Sequence, residues 1–380
     1  MSNRKGLSNV LMGVVLGIVL ILGSIVALFW NEGRSIQTAQ SLAEGADAVV
    51  SVESESVDPA HDGDLVHMSG RLDSDAILRD PEFPVTEEAL ALRREVEMYQ
   101  WHEEQERRGD ETRYSYHTDW SSRVIDSRRF NRTARHENPG SMPYERYEVR
   151  ADDITLGVFH LSETLTRQLD NFRTVGLDEG ILEELPGNVP AQPHVVGNRL
   201  YFGENPNNPQ VGDTRVAFSI IEPHEASVIG EQQGSMLSSY ATRAGDNLAM
   251  VSAGRYSPGE MFEQAMAENV MLTWMLRGGG LFAMFLGFVM FFGPIGYVAR
   301  FIPFVGALIV GAKKLMSAGL TMLLGGGTIA VAWLFYRPLV GIPLLLIFGA
   351  VAVGAFLLAV RAAPTAAEAR VEREDAAATA

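Results

Sequence analysis

The chain has 380 residues, no cysteine and a formal net charge of −16 at pH 7. The lack of cysteine excludes a disulfide framework, a zinc–thiolate site, an iron–sulfur cluster and a cysteine nucleophile. Residues 31–277 hold 43 of the 47 acidic residues against 22 of the 31 basic ones, an excess that repels nucleic acid and anionic headgroups.

Residues 1–6 form a short tail with Arg4 and Lys5, and the uncharged run 7–30 that follows exceeds the roughly 20 residues needed to cross ~30 Å of hydrocarbon. A cleaved signal peptide is the competing reading. Its apolar core would be only about 7–15 residues, and no convincing A-x-A site follows, so a retained signal anchor is expected. Gly13 and Gly17 make a G-x-x-x-G pair in this span, a spacing that lets helix backbones approach closely.

The acidic region 31–277 reads as β-rich. EVEMYQWHEEQ and ETRYSYHTDWS alternate aromatic and polar residues around RRGD, which predicts a long hairpin over 95–121. Further strands are expected at 147–150, 154–160, 194–196 with 199–202 across Gly197-Asn198, 214–221, 226–229, 235–242 and 248–252, with short helices near 162–172 and 177–185. Ser257, Pro258 and Glu260 then signal a helix start by a capping box with proline at the first helical position. The helix over 258–277 is amphipathic, and Gly278, Gly279 and Gly280 follow it as a hinge between domain and membrane.

Three more uncharged runs of spanning length follow, 278–299, 315–335 and 339–360. Between the first two lies 300–314, whose FIPFVGALIVGA is too short to span. It lies in the cytoplasmic interface, dips in as a re-entrant hairpin, or extends the second span. Gly325, Gly326, Gly327, Gly349 and Gly354 give the later spans small faces for helix packing. Trp333, Arg337 and Pro338 fit an anchor at the membrane interface, where Arg337 either meets an acidic residue of the domain or serves as an ordinary anchor. Arg4, Lys5, Arg300, Lys313, Lys314 and Arg361 place both termini, including the tail 361–380, in the cytoplasm. The expected fold class is therefore an α+β membrane protein with four transmembrane helices, one N-terminal and three C-terminal. A large β-rich extracytoplasmic domain lies between the first and second.

No motif for catalysis is complete. His102-Glu103, His136-Glu137 and His224-Glu225 begin like H-E-x-x-H, but the second ligand position holds Glu106, Gly140 and Val228. No nucleophile elbow, phosphate loop or calcium loop occurs. Catalytic, cofactor and metal residues are expected to be absent. No ionisable residue lies inside any of the four apolar cores, which argues against ion-coupled transport.

NEGRSIQTAQSLAEG (31–45) resembles the LUMA family, also called transmembrane protein 43, and the likeness recurs in VEMYQW, ETRYSYHTDW, DNFR, ENPNNPQVGDTRVAFS, MLTWMLR (271–277) and WLFYRPL (333–339). The resemblance implies four spans, cytosolic termini and one large lumenal or periplasmic domain. It also implies a protein that associates with itself and organises others in the membrane. The alanine, glycine and arginine bias points instead to a bacterial cytoplasmic membrane, so nuclear-envelope partners are not carried over. The functional expectation is a non-enzymatic membrane scaffold whose partners are the lipid bilayer, further copies of itself and other membrane proteins. A channel or channel-accessory subunit is the alternative, and an extracytoplasmic hydrolase comes third.

Overall fold

The computed structural model describes residues 2–108, 111–187, 192–294 and 305–339, together with 341–343, 346, 347 and 350. The chain divides into two compact units, one of Met1–Ala43, Ala244–Asp246 and Glu263–Ala380, the other of Glu44–Arg243 and Asn247–Phe262.

Three long helices dominate the first unit: α1 (Ser2–Ala48), α2 (Pro258–Phe291) and α3 (Val305–Tyr336). Each is long and apolar enough to cross a membrane. Their outward residues include Leu11, Val15, Leu22 and Val26 on α1, Phe282 on α2 and Leu323 on α3, all exposed large hydrophobics that need an apolar solvent. Leu28, Met284, Ala330 and Ala332 are buried where the helices meet. Polar residues inside α3 are satisfied locally: the Ser317 and Thr321 hydroxyls donate to the carbonyls of Lys313 and Ser317, four residues back.

The helix boundaries differ from the sequence-based expectation in three places. α1 does not stop at Trp30: no proline occurs from Asn31 to Ala48, and the helix runs on to Ala48 through Gly33 and Gly45. α2 passes unbroken through Gly278, Gly279 and Gly280, so these glycines are not a break in the chain. Residues 305–314 belong to α3 as a helical extension of the third span rather than of the second. The fourth expected span, 339–360, and the ends of 278–299 and 300–314 that adjoin one another fall largely outside the described residues.

Among the described residues the second unit holds two seven-stranded sheets, with two further two-stranded ones, around a hydrophobic core. In one, Leu65–Asp73 and Glu225–Gln233 pair antiparallel, with His67 opposite Ile229. The circuit then closes through Thr155–Leu156, Phe159–Leu161 and Met236–Ser238 back to the second of these strands. In the other, Ala91–Arg108 is the spine, flanked by Glu111–Ser121, Tyr147–Arg150 and Thr214–Ile221. Thr214, Val216, Phe218 and Ile220 alternate inward along the last of these and are buried. The predicted hairpin forms in register, Tyr99 opposite Trp120 and Trp101 opposite Thr118.

The capping box at the start of α2 is present: the Ser257 backbone N–H donates to Glu260 Oε2 at 2.8 Å, and the Glu260 backbone N–H returns to Ser257 Oγ at 3.4 Å.

Candidate functional site

The most heavily built polar site lies among the three long helices, where each leaves its apolar run. On α2, Asn269, Thr273 and Arg277 repeat every four residues and so share one face. On α1, Asn31 and Ser35 are likewise one turn apart, with Glu32 and Arg34 between them.

Glu32 is 1 % exposed and receives three hydrogen bonds: Nε and Nη2 of Arg277 at 2.6 and 2.7 Å, and the indole N–H of Trp333 on α3 at 2.6 Å. The two-pronged pairing from arginine is the strongest geometry available to a carboxylate. The Arg277 guanidinium also lies 4.7 Å from the Trp274 ring centre and 5.6 Å from that of Trp333. One carboxylate thus ties α1 to both partners.

Further bonds join α1 to α2 around this carboxylate. Arg34 donates to Asn269 Oδ1 and Thr273 Oγ1, both at 3.1 Å, and Asn31 Nδ2 donates to the Thr273 carbonyl at 3.2 Å. Asn269 returns a bond to the Ser35 carbonyl at 2.9 Å. Gln37 and Thr38 donate to the carboxylate of Asp246 at 2.8 and 2.7 Å. A side chain on Gly33 would lie 2.6 Å from the Tyr336 hydroxyl, so α1 and α3 touch here with no room for a Cβ.

Of the anchor residues expected from sequence, Trp333 belongs to this junction. Arg337 and Pro338 are exposed, and no ion pair of Arg337 occurs among the described residues. Gly17 makes a close helix contact: a Cβ there would lie 2.6 Å from the Gly287 carbonyl oxygen on α2. Gly325 packs against Leu281, and a Cβ on Gly280 would meet Leu28 at 2.8 Å, whereas Gly13, Gly278, Gly279, Gly326 and Gly327 face open space. Gly349 and Gly354 lie outside the described residues. Sequence reasoning missed Asn31, Glu32, Arg34, Asn269, Thr273 and Arg277. The available signal was a four-residue polar repeat on an otherwise apolar face of α2, together with four consecutive polar or small residues, Asn31 to Arg34, at the mouth of the first span.

The second unit has a cleft of about 700 Å³ lined by Asp73, Asp75, Asp152, Asp153 and Glu225 with Arg71 and Arg255 on its wall. Asp153 accepts from His160 at 2.6 Å, and no group of three or more histidine, aspartate or glutamate side chains fit to hold a metal ion occurs among the described residues. Elsewhere in this unit burial raises the Tyr201 hydroxyl, as does its 2.5 Å hydrogen bond to Asp213. Burial lowers the pKa of His67, which the Tyr256 carbonyl at 2.9 Å partly opposes. The Ser51 hydroxyl lies 3.4 Å from His67 Nδ1, and no carboxylate hydrogen-bonds His67 among the described residues.

Residues 98–338 match the family model described as Transmembrane protein 43. The chain belongs to the transmembrane protein 43 family. Transmembrane protein 43 of Homo sapiens is 38 % identical over 354 residues, covering 86 % of this chain and 85 % of the relative, and that of Mus musculus gives the same figures. The Transmembrane protein 43 homolog of Drosophila melanogaster is 28 % identical over 355 residues, 87 % of this chain and 90 % of its own. No solved structure matches the chain. The family match embraces Asn269, Thr273, Arg277 and Trp333 of the junction. The chain is an integral membrane protein of this family, and its spans contact the lipid bilayer.

Proposed function

We propose that this family member is a non-enzymatic scaffold, one that associates with further copies of itself and with other membrane proteins to organise them in the bilayer. The observation that carries this reading is the Glu32, Arg277 and Trp333 junction. The ionisable groups Glu32 and Arg277 at the membrane boundary bond helix to helix. A buried carboxylate with three partners holds one arrangement of the helices, because every alternative leaves a charge unpaired. A rigid bundle with apolar outer faces is suited to lateral association. Its charge distribution fits cytoplasmic termini with the acidic region on the opposite side of the membrane, in a bacterial cytoplasmic membrane as composition suggests.

Chemical cross-linking of the full-length protein in native membranes tests the proposal. The expected result is a ladder of self-linked species together with linked neighbours identified by mass spectrometry. A strictly monomeric product without neighbours overturns it.

A further inference from the structure

Two cavities in the helical unit follow one another along a single face of α1. The first, about 500 Å³, is apolar and runs between Leu20, Gly23 and Ala27 of α1 and Met275, Gly279 and Ala283 of α2. The second, about 470 Å³, is lined by Arg34, Gln37 and Asp246 beside the aromatic side chains of Phe335 and Tyr336. Trp30 lines both. At 1.5 Å per residue, Leu20 to Trp30 spans about 15 Å, the depth of one leaflet in a hydrocarbon core of about 30 Å. Arg34 stands a further ~6 Å along the axis, at headgroup level.

The charges in the upper cavity carry the argument. Arg34 is bonded only to neutral groups, Asn269, Thr273 and Asn31, and no carboxylate pairs with it among the described residues. Its Nε–H is buried and has no hydrogen-bond partner. A part-buried guanidinium that lines the cleft, with no anion paired to it among the described residues, is a charge that a ligand's phosphate complements. On the same wall Asp246 presents a carboxylate oriented by Gln37 and Thr38. A cation and an anion that line one cleft, with Phe335 and Tyr336 beside them, complement a phosphate and an ammonium joined by a short linker.

We propose that this cleft binds one zwitterionic glycerophospholipid from the leaflet in which Trp30 sits. Its phosphate pairs with Arg34, its headgroup ammonium lies against Asp246, and one acyl chain lies in the groove beside Gly23 and Ala27. The proposal stands apart from the scaffold reading and does not need it.

The test uses full-length protein, delipidated in mild detergent and offered an equimolar mixture of phosphatidylethanolamine, phosphatidylglycerol and diacylglycerol, with retained lipid counted by native mass spectrometry. One phosphatidylethanolamine is expected to be retained about tenfold or more over diacylglycerol, the equivalent of one charge-assisted hydrogen bond. Arg34→Gln should abolish that preference for a phosphate. Asp246→Asn should keep the phosphate preference and lose the preference for phosphatidylethanolamine over phosphatidylglycerol. Ala27→Phe fills the groove without touching the polar junction and should remove all retained lipid, which keeps the test decisive if Arg34→Gln misfolds. Equal retention of diacylglycerol, or wild-type retention by Ala27→Phe, overturns the site. Equal retention of the two phospholipids by the native protein overturns the headgroup assignment.

Discussion

At the scale of single residues, the strongest stake in the β-rich unit is Arg94. It is 2 % exposed, donates to Asp80 at 2.6 Å and to Glu82 at 3.0 Å, and lies over the Phe83 and Tyr147 rings. Asp80 also receives the backbone N–H groups of Glu82 and Phe83, so its carboxylate fixes the turn that leads into Val85. A buried pair of this kind is costly to break and cheap to replace whole, because the expensive state is one charge left alone. Arg94→Met should therefore cost about 3–5 kcal/mol, and the double variant Arg94→Met with Asp80→Asn should recover most of that loss, the asparagine still accepting the two backbone bonds. Chemical denaturation of the full-length protein, followed by protection of the 91–98 amides, checks this. Equal losses in the single and double variants would show that packing rather than charge dominates the site. Neither residue stands out in the sequence, where arginine and aspartate are common throughout the acidic region. Burial of a charge is a property of the assembled core, and local pattern does not encode it.

At the scale of elements, strands rich in β-branched and aromatic residues between turns were legible whether their partners lie near in sequence, as in the hairpin, or far, as for 147–150 and 214–221 against Ala91–Arg108. The hairpin around Arg107 and Arg108 announces itself by alternating aromatics, and the pair 193–196 with 199–202 by its glycine turn, where Gly197 takes φ +60°. Residues 154–160 divide at Gly157, whose φ of +61° turns the chain between two short strands. Leu65–Asp73 was missed altogether. It is buried on both faces over Leu65 to Met68, so it lacks the alternation that marks a half-buried strand. The helix junction failed to show for a related reason. Glu32, Arg277 and Trp333 are 245 and 301 residues apart from α1 to its partners, and nothing local links them. Its energetics are testable by element. Trp333→Phe removes one hydrogen bond to a charged group and should cost about 1.5–3 kcal/mol, while Arg277→Met strands Glu32 and should cost about 3–5 kcal/mol. In a double-mutant cycle Glu32→Gln with Arg277→Met should lose much less than the sum of the two single changes. Thermal unfolding in detergent gives the comparison, and strict additivity would mean the bond contributes nothing.

At the scale of the whole molecule, the junction constrains how the helices thread the membrane. It brings Glu32, Arg277 and Trp333 to one level, so the ends of α1 and α3 that carry Arg4, Lys5, Lys313 and Lys314 lie at the opposite ends of those helices. Sequence alone pointed the same way, since positive charge favours the cytoplasmic flank and the uncharged runs were long enough to count. What it could not supply was the helical continuation of α1 to Ala48, because residues 31–48 are too polar to read as a span. The absence of cysteine makes the arrangement open to direct mapping in an otherwise unreactive background. Single cysteines placed at Ser2, Ser122 and Ala312 should divide into two groups when sealed membranes in native orientation are exposed to an impermeant maleimide. Ser122→Cys, in the acidic region, should react at once, whereas Ser2→Cys and Ala312→Cys should react only after the membrane is permeabilised. Reaction of Ser2→Cys and Ala312→Cys on different sides would contradict the common level set by the junction. Both reacting from outside would leave the junction intact and reverse the orientation that the flanking charges favour.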